Sequence, residues 1–279
     1  MTRGRATIIG FGAVLLWATL ALFTTLSGAV PPLQLLAMCF ALGGVLGLTR
    51  GVPRGVPAGA WLLGVGGLFG YHLLYVLALR MAPPVEASLV AYLWPLLIVL
   101  MSAAVQRLRW WHLAGAAVGL GGAALVVTGG RDLSFAPGPG HAVALVAAVI
   151  WAGYSVGARR YADVPTTAVT GFCLGAAALS GVAHLTLEET VLPRGVEWLA
   201  IAGLGLGPVG LAFFLWDVGC KRGDMAVLGA SSYAAPLLST LILVAFGLAE
   251  ASWTLALACL LITGGAALAA SGMWRRDRA

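Results

Sequence analysis

Ten apolar stretches follow one another along this chain, near residues 6–26, 32–49, 58–79, 85–104, 111–128, 140–158, 166–186, 196–216, 225–246 and 253–273. Each has about 18–22 residues, the length an α-helix needs to cross a hydrocarbon core of about 30 Å. Backbone amides in that core can be satisfied only by helix bonding or a closed barrel, so runs of this length predict helices. Composition agrees, with 61% hydrophobic and 9% charged residues against about 25% charged in an average soluble domain. The residues between the stretches are too few for a soluble domain. The chain reads as an all-α polytopic membrane protein of ten transmembrane helices, with the lipid bilayer as its first partner.

The charges lie between the stretches in an ordered way. With both termini on the cytoplasmic side, only Arg80, Arg131 and Arg194 of the 16 Lys+Arg fall on the other face, as the positive-inside rule requires. A bacterial inner membrane, crossed many times, is the expected location. The net charge of +6 follows from this topology and argues for no nucleic-acid partner. Arg3 and Arg5 precede a run of span length, which reads as a first helix and not as a secretory signal. Cys39, Cys173, Cys220 and Cys259 show no CxxC spacing; they read as packing residues, and neither a metal site nor a cofactor is expected.

The chain also repeats itself. Tyr92-Leu93-Trp94-Pro95-Leu96-Leu97 returns as Tyr233-Ala234-Ala235-Pro236-Leu237-Leu238, and Gly121-Gly122-Ala123-Ala124-Leu125 as Gly264-Gly265-Ala266-Ala267-Leu268. Trp17 matches Trp151, and Arg80 matches Lys221. Two repeats result, 1–136 and 137–279, each with five spans. An odd number turns the second repeat upside down, and such inverted repeats give alternating access a structural basis. Most prolines fall in connections, but Pro95, Pro208 and Pro236 lie within stretches, where each removes a helix hydrogen bond; they are candidate gating kinks. Gly66/Gly70, Gly115/Gly119 and Gly203/Gly207 have the spacing for close helix approach, more within one bundle than between subunits, so a monomer is expected.

Candidate substrate-binding residues share helix faces. Tyr71 and Tyr75 are one turn apart with His72 beside them, and Ser88, Tyr92 and Pro95 share another face, with Trp94 turned to a different neighbour. The second half offers Ser232, Tyr233 and Pro236, the sixth stretch Trp151, Tyr154 and Ser155, and the first Trp17. Rings with polar tips suit a small solute with an apolar body and a polar head; ordinary helix packing is the competing reading. Trp61, Trp110, Trp111, Trp198, Trp253 and Trp274 sit at stretch ends, where interfacial anchoring explains them. The aromatic wealth of Tyr71, His72 and Tyr75 has no evident equal in the second half. No carboxylate lies at mid-stretch, so a coupling proton could use only His72, or less readily Glu86 or Asp217; facilitated movement down a gradient is expected. Enzyme chemistry would need clustered acids, a His/Ser/Asp set or metal ligands, and phosphorylated cargo would need cations inside the spans. Neither pattern is present.

Ten spans, five-helix halves and the paired Tyr-x-x-Pro-Leu-Leu segments resemble the drug/metabolite transporter superfamily. Gly70-Tyr71-His72-Leu73-Leu74-Tyr75 with Ala91-Tyr92-Leu93-Trp94-Pro95-Leu96 is similar to the aromatic amino acid exporters of its EamA-like group. The resemblance implies efflux of aromatic amino acids and related neutral or zwitterionic amphiphiles through a central cavity; a broad exporter of neutral drugs or metabolites, with or without proton coupling, is the alternative. One departure stands out. The family's corner glutamate is matched by Glu250 in the second half but by Gln106 in the first, which implies a structural role there in closing the helix turn.

Overall fold

A computed structural model of the protein describes residues 1–130, 138–248, 250 and 252–276, the side chains of 270 and 272–276 excepted. Arg131, the repeat boundary at 136/137 and the Trp274 side chain lie outside the described residues. In chain order the helices are α1 (Arg3–Trp17), α2 (Leu20–Leu26), α3 (Pro32–Leu48), α4 (Ala58–Met81), α5 (Pro84–Ala91), α6 (Trp94–Met101), α7 (Trp110–Thr128), α8 (Pro139–Gly157), α9 (Ala168–Leu187), α10 (Val196–Leu206), α11 (Ala212–Arg222), α12 (Met225–Ser231), α13 (Ala234–Ala245) and α14 (Trp253–Arg276). Among the described residues there is no strand. Where the sequence predicts ten full spans, eight helical segments among the described residues are long and apolar enough to cross a membrane, and Pro32–Leu48 and Trp253–Ala269 are shorter apolar helices. The chain is a polytopic helical membrane protein. Leu62, Leu185, Leu192 and Trp253 are each more than three-quarters exposed, the inverse of a soluble surface and the face that lipid covers.

Prolines mark both starts and breaks. Pro32, Pro84 and Pro139 open α3, α5 and α8, positions where the missing N–H costs nothing. Pro95 cannot donate to Ala91, and the chain turns at Tyr92 and Leu93 between α5 and α6. Pro236 leaves Ser232 in the same position; the Ser232 carbonyl accepts from Ala235 N at 3.0 Å instead, and the chain turns between α12 and α13. Pro208 sits in a π-helical turn, Gly207–Leu211, joining α10 to α11. All three interruptions thus come from a lost donor.

The helices pair lengthwise as α7 with α14, α3 with α9, α4 with α8 and α1 with α11. Glycine lets the last pair touch: a Cβ on Gly10 would fall 2.8 Å from Gly219 Cα. In α7, Gly115 and Gly119 meet Gly265 and Tyr233 in this way. Gly203 meets Phe23 in the same way, with Gly207 in ordinary contact only, and the other expected glycine contacts shift by one residue. Gly66, Gly121 and Gly264 have open space beside them, and Gly70 only ordinary contacts, while Gly67, Gly122 and Gly265 make the close approaches.

Candidate functional site

A cavity of about 540 Å³ opens at one end of the bundle. Its rim holds Thr24 of α2, Pro32 of α3 and Arg80 at the last turn of α4, and its wall carries Tyr71, His72, Tyr75 and Tyr92. Trp17, Trp94, Trp151 and Phe213 form the deep end, each at most 8% exposed. Below them Trp216 is fully buried. Trp17, Trp94, Trp151 and Trp216 form a closed tetrad in which every ring lies within 6.4 Å of the other three, the tightest pair being Trp17 and Trp216 at 5.0 Å. Four of the six pairs are edge-on, Trp17–Trp216 is tilted and Trp151–Trp216 is stacked, and edge-on and offset-stacked arrangements are the ones aromatic quadrupoles favour.

Two of the four indole N–H groups have partners within the bundle. Trp17 Nε1 donates to the Pro208 carbonyl at 3.0 Å, so the π turn gives a carbonyl to a ring 191 residues earlier in the sequence. Trp216 Nε1 donates to Ser155 Oγ at 3.0 Å, and Ser155 donates in turn to the Trp151 carbonyl at 2.8 Å. The floor is therefore held rigid by its polar edges and offers ring surface to a solute. On the wall, Tyr71 and Tyr75 stack at 5.9 Å with an interplanar angle of 4°, as one-turn spacing predicts. Ser88 lies outside the lining but shares a 3.0 Å hydrogen bond with the Tyr75 hydroxyl. His72 Nδ1 is 2.6 Å from the Leu68 carbonyl; a carbonyl only accepts, so Nδ1 carries the proton and Nε2 of the neutral ring is left as an acceptor.

Seven of the eleven expected substrate-binding residues, Trp17, Tyr71, His72, Tyr75, Tyr92, Trp94 and Trp151, thus border one cavity. Tyr154 lies behind it, near Asp217 and Lys221. Ser232 donates to the Leu228 carbonyl at 2.7 Å. Tyr233 is fully buried against α7, and its hydroxyl accepts from Leu96 N at 3.1 Å, a donor freed by the break at Tyr92 and Leu93. The two Tyr-x-x-Pro copies therefore touch. The residues missed are Phe213 and Trp216, and a signal for them existed: with Tyr233 aligned on Tyr92, Phe213 falls at the position of His72 and Trp216 at that of Tyr75. The second half has an aromatic set after all. Of the stretch-end tryptophans, Trp110, Trp198 and Trp253 are exposed, while Trp61 packs on Phe172 at 5.4 Å and Trp111 lies under the Arg109 guanidinium.

The far end of the bundle is closed by polar contacts. Asp224 caps α12 through Ala226 N and Val227 N and pairs with Arg3 at 2.9 Å. Its amide donates to Thr7 Oγ1 at 2.8 Å. Gln106 donates to Asp224 Oδ1 at 3.0 Å and accepts from Met225 N and Arg3. The corner Gln106 closes its own turn through its backbone amide, which donates to the Ser102 carbonyl at 2.8 Å, while its side chain ties the two halves together. Beside it, Arg159 donates to the carbonyls of Gly223 and Cys220, and the buried pair Asp217–Lys221 closes at 2.9 Å with Thr166 donating to Asp217. Glu86 lies 2.8 Å from His141 Nε2. Neither Glu86 nor Asp217 borders the cavity.

Comparison with known proteins fits this geometry. The model of a family described as the EamA-like transporter family matches residues 4–128 and 138–271. An aromatic amino acid exporter YddG from Ancylobacter novellus is 55% identical over 282 residues, which cover 96% of this chain and 98% of that protein. The protein of the same description from Escherichia coli is 27% identical over 96% of this chain and 97% of its own. A solved crystal structure with 55% identity superimposes with a TM-score of 0.92 over 96% of this chain and 99% of that one.

Proposed function

This chain belongs to the EamA-like transporter family, and we propose that it exports aromatic amino acids across the inner membrane by alternating access through the tryptophan-floored cavity. The observation that carries this reading is the floor itself. Three indoles, Trp17, Trp94 and Trp151, and Phe213 present apolar ring surface to the cavity, with Trp216 packed beneath them, while the wall and rim above carry tyrosine hydroxyls, an imidazole and one guanidinium. A flat ring with a zwitterionic head matches that gradient from floor to rim. The 55% identity to a protein named as an aromatic amino acid exporter supports the same cargo.

The same proposal holds that ten segments cross the membrane as inverted repeats 1–136 and 137–279, with both termini cytoplasmic and the chain acting as a monomer. The helix pairing supports it, because exchanging the halves converts the α4–α8 pair into α11–α1 and returns α3–α9 and α7–α14 to themselves. In this orientation the cavity faces outward and the Arg3–Asp224–Gln106 contacts close the cytoplasmic side. Export then needs that closure to open and the rim to shut. No carboxylate borders the cavity among the described residues, so movement down the solute gradient is the proposed mode.

The test is counterflow in proteoliposomes loaded with phenylalanine, tyrosine or tryptophan, with and without an imposed pH gradient. Uptake of labelled solute well above empty liposomes is expected, unchanged by the pH gradient. Uptake equal to empty liposomes, while another class of metabolite moves, would sink the substrate assignment.

A further inference from the structure

Arg80 is the only Lys, Arg, Asp or Glu among the residues lining the cavity. Its side chain is 46% exposed, and its one ion pair among the described residues is with Glu188 at 2.8 Å through Nη2. Glu188 depends little on that contact. Its other oxygen accepts from Leu33 N at 3.0 Å and Gln34 N at 3.2 Å, and lies 3.1 Å from His184 Nδ1. The carboxylate thus caps the N-terminus of α3, where the helix dipole favours it, and stays answered when the guanidinium leaves. Arginine has five donors in a planar fork, so one edge suffices for Glu188 and the other remains to take a second carboxylate in bidentate fashion.

Resting on the reading that the cargo is an amino acid, we infer that Arg80 is the subsite for the substrate's α-carboxylate, holding the head at the rim while the ring lies toward the tryptophan floor. The helix geometry fits. His72, beside the floor, and Arg80 are eight residues apart on α4, about 12 Å along the axis, a gap that an extended aromatic amino acid and the arginine side chain cover between them. At the closed end the matched cation, Lys221, is buried and occupied by Asp217 at 2.9 Å and the Val164 carbonyl at 2.8 Å. The position offers a half-exposed cation with one edge unused where the pathway is open and a saturated one where it is shut.

The experiment compares phenylalanine with phenylalaninamide, which keeps the ring and the amine but lacks the carboxylate, as inhibitors of labelled phenylalanine counterflow. The unsubstituted protein is expected to prefer phenylalanine by about tenfold, the effect of one charge-assisted contact. Arg80→Gln brings the ratio to near one, and Arg80→Lys restores part of it. A structural role would weaken both inhibitors alike, so a ratio that survives Arg80→Gln overturns the subsite. Should Arg80→Gln fail to fold, tryptophan fluorescence titration of the unsubstituted protein decides, with equal affinity for the two compounds overturning the proposal. An unsubstituted protein that neither binds nor moves phenylalanine overturns the export reading and the subsite with it; loss of the subsite alone leaves counterflow of the unsubstituted protein intact.

Discussion

Tyr92 and Tyr233 hold the same place in two copies of one sequence pattern, yet Tyr92 borders the cavity while Tyr233 is fully buried and takes the Leu96 amide. The contrast recurs along the preceding helix of each half. Tyr75 lines the wall and its match Trp216 lies under the floor; Arg80 stands at the rim and its match Lys221 is sealed in an ion pair. Of the matched residues along this helix, only His72 and Phe213 both reach the cavity. Both halves contribute to the floor, through Trp17 and Trp94 on one side and Trp151 and Phe213 on the other. The polar wall, however, comes from the first half, and its other matches in the second serve as packing and locks. On the proposed two-fold relation, part of this difference belongs to the state: opening the other end would expose Lys221 and bury Arg80. The rest is chemical and permanent, because a tyrosine whose hydroxyl meets Ser88 at the cavity wall and a tryptophan tied to Ser155 beneath the floor cannot exchange roles.

The largest effect should separate Trp216 from Tyr75. Trp216→Ala removes a fully buried ring from the tetrad and orphans its hydrogen bond to Ser155, and should lower stability by about 3–5 kcal/mol. Tyr75→Phe loses one shared hydrogen bond at the cavity wall, about 1 kcal/mol, while phenylalanine counterflow falls. Unfolding in detergent, followed by heat or denaturant, gives the first pair of numbers and proteoliposomes the second. Equal stability losses would erase the distinction between scaffold and contact surface.

The two cations should differ nearly as much. Lys221→Met leaves Asp217, 2% exposed, without its partner, and loss of one member of a buried pair costs about 3 kcal/mol. Arg80→Gln breaks a half-exposed contact worth at most about 1 kcal/mol. The double variant Asp217→Leu, Lys221→Met should recover most of the loss, since an apolar replacement of a buried pair is near neutral. If the double variant is as unstable as Lys221→Met, the pair does more than answer its own charges.

These contrasts mark where sequence reasoning reaches. The spans were legible because their length and polarity are set by the bilayer, which acts on every residue alike. The breaks at Pro95, Pro208 and Pro236 were legible because proline removes a donor wherever it sits. One wall of the site was legible too, since Tyr71, His72 and Tyr75 share a helix face whatever that face meets. What a face meets is tertiary: Tyr233 carries the same local pattern as Tyr92, and only the approach of α7 and α6 turns it inward. Gln106 looked like a local corner because its partners, Asp224 and Arg3, are distant in sequence. The glycine register of α4 failed for the same reason, Gly66 and Gly67 being equivalent until Tyr154 arrives against one of them.

A smaller effect tests the clasp between the two copies. Tyr233→Phe leaves the Leu96 amide without an acceptor in an apolar setting, a loss of about 1–2 kcal/mol. Tyr92→Phe should stay within about 0.5 kcal/mol of the unsubstituted protein while changing the affinity for tyrosine or phenylalanine. The pair reverses the usual expectation that the buried member of a duplicated motif is the inert one. Similar stability for both variants would mean that Leu96 finds another acceptor and that the copies are not joined through this bond.

The smallest effect concerns the closed end. Arg3 is 42% exposed on its side chain where it meets Asp224, so Arg3→Ala should alter overall stability by no more than about 0.5 kcal/mol. That pair joins α1 to the start of α12, however, and must part for the closed end to open. The same 0.5 kcal/mol, applied to the balance between the two states, changes the population of the other state about twofold. Cys220 is a built-in reporter, fully buried behind Arg159. With Cys39, Cys173 and Cys259 replaced by alanine, Arg3→Ala should raise the alkylation rate of Cys220 about twofold with the unfolding midpoint unmoved. A faster rate that tracks a lowered midpoint would instead report general loosening, and an unchanged rate would remove Arg3 from the closure and leave Gln106 and Arg159 as the contacts that hold it.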